Sequence, residues 1–269
     1  SIKMYQKAAD QNLPQAQFSL GLIYYKGEHV SRDINKAIHF YSLAANQNFS
    51  HAQFYLGMIY ISNQYVEVDI DKALHFLTLA SKQNHPLAHA FLGSIYYLGE
   101  YVPRDINKAI HYFSLASEQN VSEALFQLGT IYYDGEYISK NIDKAIEYFT
   151  LAANQNHMQA QFYLGRIFIF NKYGKLDIRK AIHYFTLSAN QNFYESQFYL
   201  GMLYIEGSYV PQDVNKAIHY FTLSANQGYS LAQYNLGSIY YEAQFVSRDV
   251  NKAIHYFLLS ANQNFSMAQ

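Results

Sequence analysis

Apolar residues recur with helical spacing in the segment that begins at Ala16. The apolar residues of this first segment are Phe18, Leu20, Ile23 and Tyr24. Such spacing places them on one buried side of a helix. Gly27 follows, and glycine commonly ends a helix in the left-handed conformation. The pattern therefore predicts a first helix from about Gln15 to Lys26.

A second helical pattern follows a short loop. Asp33 stands before it, where a carboxylate can accept the free backbone N–H groups of the first turn. Later copies carry a residue of the same kind there: Asp69, Asp105, Asn141, Asp177, Asp213 and Asp249. The predicted buried face consists of Ile34, Ala37, Ile38, Tyr41, Ala44 and Ala45. Asn46-Gln47-Asn48 closes this helix, because asparagine tolerates the left-handed terminus.

The two-helix unit recurs with a fixed step of 36 residues, which is the signature of a repeat architecture. The pair Leu-Gly marks the step from Leu20-Gly21 to Leu236-Gly237. Seven full copies are predicted at residues 16–51, 52–87, 88–123, 124–159, 160–195, 196–231 and 232–267. Residues 1–15 form a partial copy and residues 268–269 begin another. We therefore expect one continuous domain, 1–269, cut from a longer protein.

The glycine of the Leu-Gly pair lies inside the predicted first helix. Glycine in a helix costs about 1 kcal/mol relative to alanine, so a close approach between helices is expected to offset this cost. The predicted neighbour of Gly21 is a small residue, Ala37 or Ala44. This is a packing role and involves no chemistry.

The shared residues of the unit are Ala16, Leu20-Gly21, Tyr24, Gly27, Val30, Asp33, Lys36-Ala37 and Ala44-Ala45. Their pattern resembles the Sel-one-like repeat (SLR) family, a relative of the tetratricopeptide repeats, over the whole chain. The resemblance implies an all-α fold, a right-handed α/α superhelical solenoid of seven 36-residue helix-turn-helix repeats. It also implies a scaffold or adaptor for protein complexes. The second and fifth copies depart from the pattern, with Asn63 and Asn171 in place of Gly27 and Gly174 in place of Val30. Their loops are expected to differ in shape, with asparagine still taking the left-handed turn.

Composition narrows the function classes. The chain has no cysteine, which removes disulfides and thiol chemistry. The formal net charge of −1 argues against a nucleic-acid or anionic-membrane partner. No apolar run has the length of a membrane span. We therefore expect a cytoplasmic protein, with cytoskeletal association as a variant, that binds protein partners and no cofactor, nucleic acid or membrane.

A candidate binding face follows from a comparison of the seven copies with one another. The fourth, seventh and eleventh residues of the unit vary most within the first helix, and their spacing places them on one face. In solenoids the first helices usually line the concave side, so this face is predicted to be a protein-binding groove. The predicted groove residues are Tyr55, Met58, Phe91, Leu98, Tyr163, Arg166, Phe170, Tyr199 and Met202. Aromatic, Met and Arg side chains are typical of interface centres.

Alternatives remain open at this point. Some of the groove residues could instead pack against the neighbouring repeat. The whole chain could be a structural component of a large assembly, for example a cytoskeletal one, with end-to-end contacts between copies. It could also be the regulatory arm of a kinase-containing protein.

Two further residue rows resemble functional clusters but do not predict catalysis. One histidine row comprises His39, His75, His111, His183, His219 and His255. Equivalent residues on stacked helices lie about 10 Å apart, whereas zinc ligands converge at about 2 Å from one ion. The lysine row from Lys36 to Lys252 alternates with Asp33 and its equivalents, which favours local ion pairs over an RNA-binding stripe. No nucleophile, phosphate loop or metal-ligand motif is present, so the chain is predicted not to be an enzyme.

Overall fold

The computed structural model describes residues 2–170, 173–242 and 246–263. Over these residues the chain forms fifteen helices and no strand, which confirms the predicted all-α class. The first helices of the repeats are α2 (Pro14–Lys26), α4 (Ser50–Ile61), α6 (Pro86–Leu98), α8 (Ser122–Asp134), α10 (Met158–Ile169), α12 (Tyr194–Glu206) and α14 (Ser230–Glu242). The second helices are α1 (Ile2–Asp10), α3 (Ile34–Asn46), α5 (Ile70–Lys82), α7 (Ile106–Glu118), α9 (Ile142–Ala153), α11 (Ile178–Asn190), α13 (Val214–Asn226) and α15 (Val250–Ala261).

The chain divides into two units, Ser1–Leu128 and Gly129–Gln269, and the division falls inside α8. Within each unit a first helix packs against the second helix of its own repeat, as α4 does with α5 and α12 with α13. It also packs against the second helix of the repeat before it, as α4 does with α3 and α12 with α11. Each unit is therefore a stack of helical hairpins.

The helix ends follow the predicted chemistry. The Asp33 carboxylate accepts a hydrogen bond from the Lys36 backbone N–H at 3.0 Å, and the equivalent residues do the same. Helices α1, α3, α5, α7, α9 and α11 close on a left-handed asparagine, which is Asn48 in the first repeat, with φ of 63°, and α13 closes on the left-handed Gly228. These hydrogen bonds hold the pKa of Asp33 below its usual value.

The glycine of the Leu-Gly pair faces a large ring. A Cβ atom on Gly93 would lie 2.6 Å from Cδ1 of Phe113, and one on Gly21 would lie 2.5 Å from Cδ1 of Tyr41. The prediction that a small alanine stands opposite this glycine is wrong. The glycine instead makes room for a large side chain of the second helix, which is Tyr41, Leu77 or a phenylalanine and is fully buried in the first six repeats. Close packing of this kind leaves no space for a methyl group.

Glutamine side chains form a ladder of hydrogen bonds, within each hairpin and from one hairpin to the one before it, that sequence periodicity does not predict. The Gln47 side-chain amide, at the end of α3, donates to Oε1 of Gln17 on α2 at 2.7 Å. Gln17 itself donates to the Ala9 carbonyl at 3.4 Å. The same side-chain hydrogen bond joins Gln83 to Gln53 at 2.6 Å and, in the second unit, Gln227 to Gln197 at 2.8 Å. Because Gln17 and Gln53 are buried, these hydrogen bonds satisfy their side-chain amides in the interior.

Candidate protein-binding site

The tyrosines at the fourth position of the unit are half-buried and pack on the rings that fill the interior. The Tyr163 ring stacks on Phe149 with centroids 5.1 Å apart, and Tyr199 stacks on Phe185 at 5.2 Å. Tyr55 lies 5.3 Å from the Tyr41 ring. Each of these tyrosines therefore contacts the preceding hairpin with one side of its ring, as the packing alternative proposed.

The remaining apolar members of the predicted groove differ in exposure. Met58 and Phe91 are half-buried and pack on a cluster centred on Phe54 and Leu77. Leu98 and Phe170, in contrast, are 51% and 45% exposed. An exposed leucine or phenylalanine contributes little to packing, so these two residues are the strongest candidates for contact with a partner.

Arg166 lies among aromatic rings in the second unit. Its guanidinium carbon is 5.7 Å from the centroid of Phe162 and 6.0 Å from that of Tyr163, within the range of cation–π attraction. Its Nε atom is buried, and no described residue accepts a hydrogen bond from it. Burial raises the pKa of nearby Asp134, and the positive charges of Lys140 and Arg166 oppose that rise.

Several predicted groove residues meet at two equivalent apolar crevices, one in each unit. Crevice I, with a volume of about 200 Å³, is lined by Ile61, Phe91, Ser94, Ile95, Leu98 and Tyr101, with Glu100 at its rim. Crevice II, of about 320 Å³, has at the equivalent positions Ile169, Tyr199, Met202, Leu203, Glu206 and Tyr209, to which Phe170 and Phe198 are added. Each residue of the first six stands three repeats before its counterpart in the second six.

Both crevices follow a first helix that ends one residue early. Helix α4 stops at Ile61 and α10 at Ile169, and the next residue, Ser62 or Phe170, is extended. In the first, third and sixth repeats the helix continues to a left-handed glycine, as α6 does to Gly99 with φ of 70°. The loops of the second and fifth repeats thus differ from the others, as predicted. Asn63, however, does not take the left-handed turn, and Asn171 lies outside the described residues.

The tyrosine of each altered loop packs on the preceding hairpin, away from the crevice. The Tyr65 ring lies 5.8 Å from that of Tyr25, and Tyr173 lies 6.0 Å from Tyr133. A cation covers each pair: the Arg32 guanidinium carbon is 5.8 Å from the Tyr65 centroid, and the Lys140 ammonium is 5.2 Å from the Tyr173 centroid. The space on the side of the following hairpin therefore stays open.

The histidine and lysine rows lie on the surface, as the sequence favoured. His39 and its equivalents are exposed on the second helices. The Lys36 ammonium pairs with the Asp33 carboxylate at 3.4 Å, and Lys72 pairs with Asp69 at 2.8 Å. Within the described part of the chain, no three His, Asp or Glu side chains are grouped so that they could hold a metal ion. A wider depression of about 600 Å³ lies over residues 66–72, but its Asp69 and Lys72 already neutralise each other.

A buried histidine pair in the first unit was not predicted. The His85 ring stacks on Phe54 at 4.8 Å, and its Nδ1 atom accepts a hydrogen bond from the Ala88 backbone N–H at 3.3 Å. Burial, and then the nearby His51 and His89, lower the pKa of His85 to about 4. His89 replaces the ladder glutamine, with Nε2 3.0 Å from the Ser81 carbonyl and Nδ1 3.3 Å from the Gln119 amide. Both rings serve the fold in their neutral forms.

The chain is similar to proteins of one known repeat family, both in sequence and in structure. The profile of the Sel1 repeat family matches eight segments, at residues 1–13, 14–49, 50–85, 86–121, 122–157, 159–193, 195–229 and 230–265. The crystal structure of a protective antigen of uropathogenic Escherichia coli strains, described as displaying an SLR fold, is 26% identical with a TM-score of 0.93. That match covers 100% of this chain and 57% of the antigen.

A second solved structure, a Sel1 repeat protein from Oxalobacter formigenes, is 29% identical with a TM-score of 0.80 and covers 99% of this chain and 77% of that protein. No curated protein sequence matches the chain. Among the described residues, none of the helices combines the length and the apolar character that crossing a membrane requires. The structural likenesses confirm the predicted solenoid class.

Proposed function

This chain belongs to the Sel1 repeat family, and on that premise we propose that it is a non-catalytic scaffold that binds a segment of a partner protein. Proteins of the family generally act as protein-interaction scaffolds. The proposed contact surface, called the first-helix face below, comprises the fourth, seventh and eleventh positions of the first helices. The observation that carries the proposal is the exposure of Leu98 and Phe170 on this face, each beside an apolar crevice.

The chemistry of the first-helix face suits a protein partner. Half-buried Tyr, Phe and Met side chains offer apolar area whose conformation is already fixed by packing, as Tyr199 is by Phe185. Fixed aromatic side chains lose little conformational entropy on binding. The nine predicted groove residues, Tyr55 to Met202, are proposed as contributors to this face in their respective units.

The test replaces the two exposed residues. In the double variant Leu98→Glu with Phe170→Glu, binding of the partner recovered with the wild-type chain should weaken by about tenfold or more, because two charges would enter an apolar interface. Helicity should stay unchanged, since neither side chain is buried. The measurement is the dissociation constant by calorimetry, with far-UV circular dichroism of each variant.

A matched control changes the exposed histidine row instead. The variant His39→Glu with His219→Glu adds the same charges to the second helices and should leave the affinity within about twofold. Photo-crosslinkers at positions 98 and 170, compared with positions 39 and 219, should map the partner to the first-helix face. Equal crosslinking from all four positions would contradict the proposal. Tyr163 is a poor probe, because its ring also supports the interior.

A further inference from the structure

Crevices I and II have a charge as well as a shape in common. We propose that each crevice binds one bulky apolar side chain of a partner polypeptide, and that a lysine or arginine next to that side chain pairs with the glutamate at the rim. The proposal rests on the proposed function, because it names the chemistry of the segment that the scaffold would bind.

The size of the crevices favours single side chains. Their volumes of about 200 and 320 Å³ lie at or below the lower end of the range for small-molecule and cofactor pockets, roughly 300–1,000 Å³. A leucine, isoleucine or phenylalanine side chain fits such a space. The floor is apolar in both units, with buried Ile95 in crevice I and buried Leu203 in crevice II, so the occupant must be apolar as well.

The glutamate at the rim of each crevice favours a positively charged residue in the occupant. Glu100 and Glu206 are both exposed, and neither makes an ion pair with another described residue. A partner that covered the crevice would remove water from this carboxylate, which is costly unless a cation replaces the lost hydration. A lysine or arginine beside the inserted side chain supplies that cation.

The two carboxylates reach their rims from different positions of the unit. Glu206 stands at the eleventh position, where crevice I has the apolar Leu98. Crevice I instead has Glu100 two residues further on, where the second unit has Ser208. The same charge thus stands at equivalent crevices although the glutamate itself is not copied from one repeat to the other. Simple duplication of the repeat does not account for this.

Two exposed apolar–basic pairs of the chain itself are Lys3-Met4 and Lys175-Leu176, with Met4 71% and Leu176 46% exposed. The Lys175 ammonium is already engaged with the Asp143 carboxylate at 2.6 Å, so the second pair offers no free cation. We commit to a separate polypeptide as the occupant, and a second copy of this chain is an outcome of the test.

The experiment selects peptides from a random displayed library against the intact chain and then measures the best peptide by fluorescence anisotropy. The expected consensus is a bulky apolar residue with an adjacent Lys or Arg. Charge reversal by Glu100→Lys with Glu206→Lys should weaken that peptide about tenfold. The matched control Glu67→Lys, an exposed glutamate outside both crevices, should change the affinity by less than about twofold.

A second pair of variants tests the cavities separately from the charge. Ser94→Trp fills crevice I and Met202→Trp fills crevice II, and together they should abolish peptide binding while circular dichroism stays as in the wild type. Selected peptides that lack the basic residue, or that still bind the filled variants, would overturn the inference while leaving the scaffold proposal standing. Dimerisation of the chain that Glu100→Lys with Glu206→Lys abolishes would also overturn it, in favour of a second copy.

The converse result is equally informative. If peptides with the expected consensus bind the crevices but the Leu98→Glu with Phe170→Glu variant keeps its natural partner, the crevice chemistry is supported and the proposed scaffold function fails. The two conclusions are therefore tested by different measurements on the same set of proteins.

Discussion

The inside of a hairpin and the crevices beside it are built from neighbouring residues and yet differ in how tightly they are filled. Gly93 on α6 faces Phe113 so closely that an added Cβ would lie 2.6 Å from the ring. The next residue, Ser94, lines crevice I, which holds about 200 Å³ of open space. One residue along the helix thus separates a position where an added methyl group would overpack the interior from one that borders open space.

This difference shows how a repeat array can be uniform and still specific. The interior side of every first helix must fit a large side chain opposite its glycine, so its sequence is nearly identical from copy to copy. The outer side is free of that requirement, and the second and fifth repeats differ there in helix length and loop. Partner selection can therefore change on the outside without any loss of packing inside.

The largest expected effect is a loss of stability as the pH is lowered. It tests how strictly the interior excludes a charged side chain. His85 is protonated below about pH 6.5 in the unfolded chain but only near pH 4 in the folded one. The unfolded chain therefore binds more protons between these pH values, and stability falls as the pH falls through them. The shift corresponds to a loss of about 3 kcal/mol by pH 4. Urea unfolding at several pH values measures it.

Two variants isolate this titration from that of other groups. His85→Asn keeps an N-cap acceptor but has no titrating ring, so most of the pH dependence between 6.5 and 4 should vanish. The part that remains includes His89, whose pKa burial also lowers, and Asp134, whose pKa burial raises and which therefore acts in the opposite direction. His75→Asn, on the exposed row, is the control for the substitution itself. An unaltered profile in His85→Asn would show that the interior tolerates a charged ring.

A smaller effect is expected when a methyl group is added on each side of the same helix. Gly93→Ala should lower the free energy of unfolding by about 2 kcal/mol, because overpacking against buried Phe113 outweighs the gain in helix propensity. Ser94→Ala should change it by less than about 0.5 kcal/mol. Urea midpoints followed by circular dichroism give both values. Equal midpoints for the two variants would remove the distinction between interior and crevice.

The smallest effect concerns the one tyrosine among the rings that face the glycines. The Tyr41 hydroxyl is buried with no hydrogen-bond partner among the described residues, and burial raises its pKa. Tyr41→Phe should therefore stabilise the chain by about 1 kcal/mol. The reciprocal change, Phe113→Tyr, should destabilise it by a similar amount. A loss of stability in Tyr41→Phe would mean that the hydroxyl has a favourable role in the interior.

Much of the fold is predictable because each element ends on a residue with local chemistry. Asp33 as a cap, Gly27 as a left-handed stop and Asn48 as a left-handed close act within a few residues, so periodicity and these residues suffice. The partner of Gly21 was predicted wrongly, because sequence periodicity shows which side of a helix is buried but not which residue stands opposite. The ladder from Gln47 to Gln17 was missed for the same reason.

The candidate site was predictable only in part. Variation between copies singled out Phe170 and Leu98, and the structure finds both exposed beside crevices. The crevices themselves depend on where α4 and α10 end, and the only signal in the sequence was the loss of glycine at Asn63 and Asn171. How far Tyr163 and Tyr199 are held by the rings beneath them depends on packing across hairpins, which no single-helix pattern records.

The glutamine ladder has a direction, since each later residue donates to an earlier one. A repeat that brings both Gln53 and Gln83, or their equivalents, carries an acceptor for its own closing amide and a donor for the hairpin before it. When such a repeat is inserted between two similar repeats, or deleted from between them, every glutamine side chain of the ladder still finds a hydrogen-bond partner at the junction. Recombination between the coding copies can therefore lengthen or shorten the array by whole repeats, and the encoded protein needs no compensating mutation.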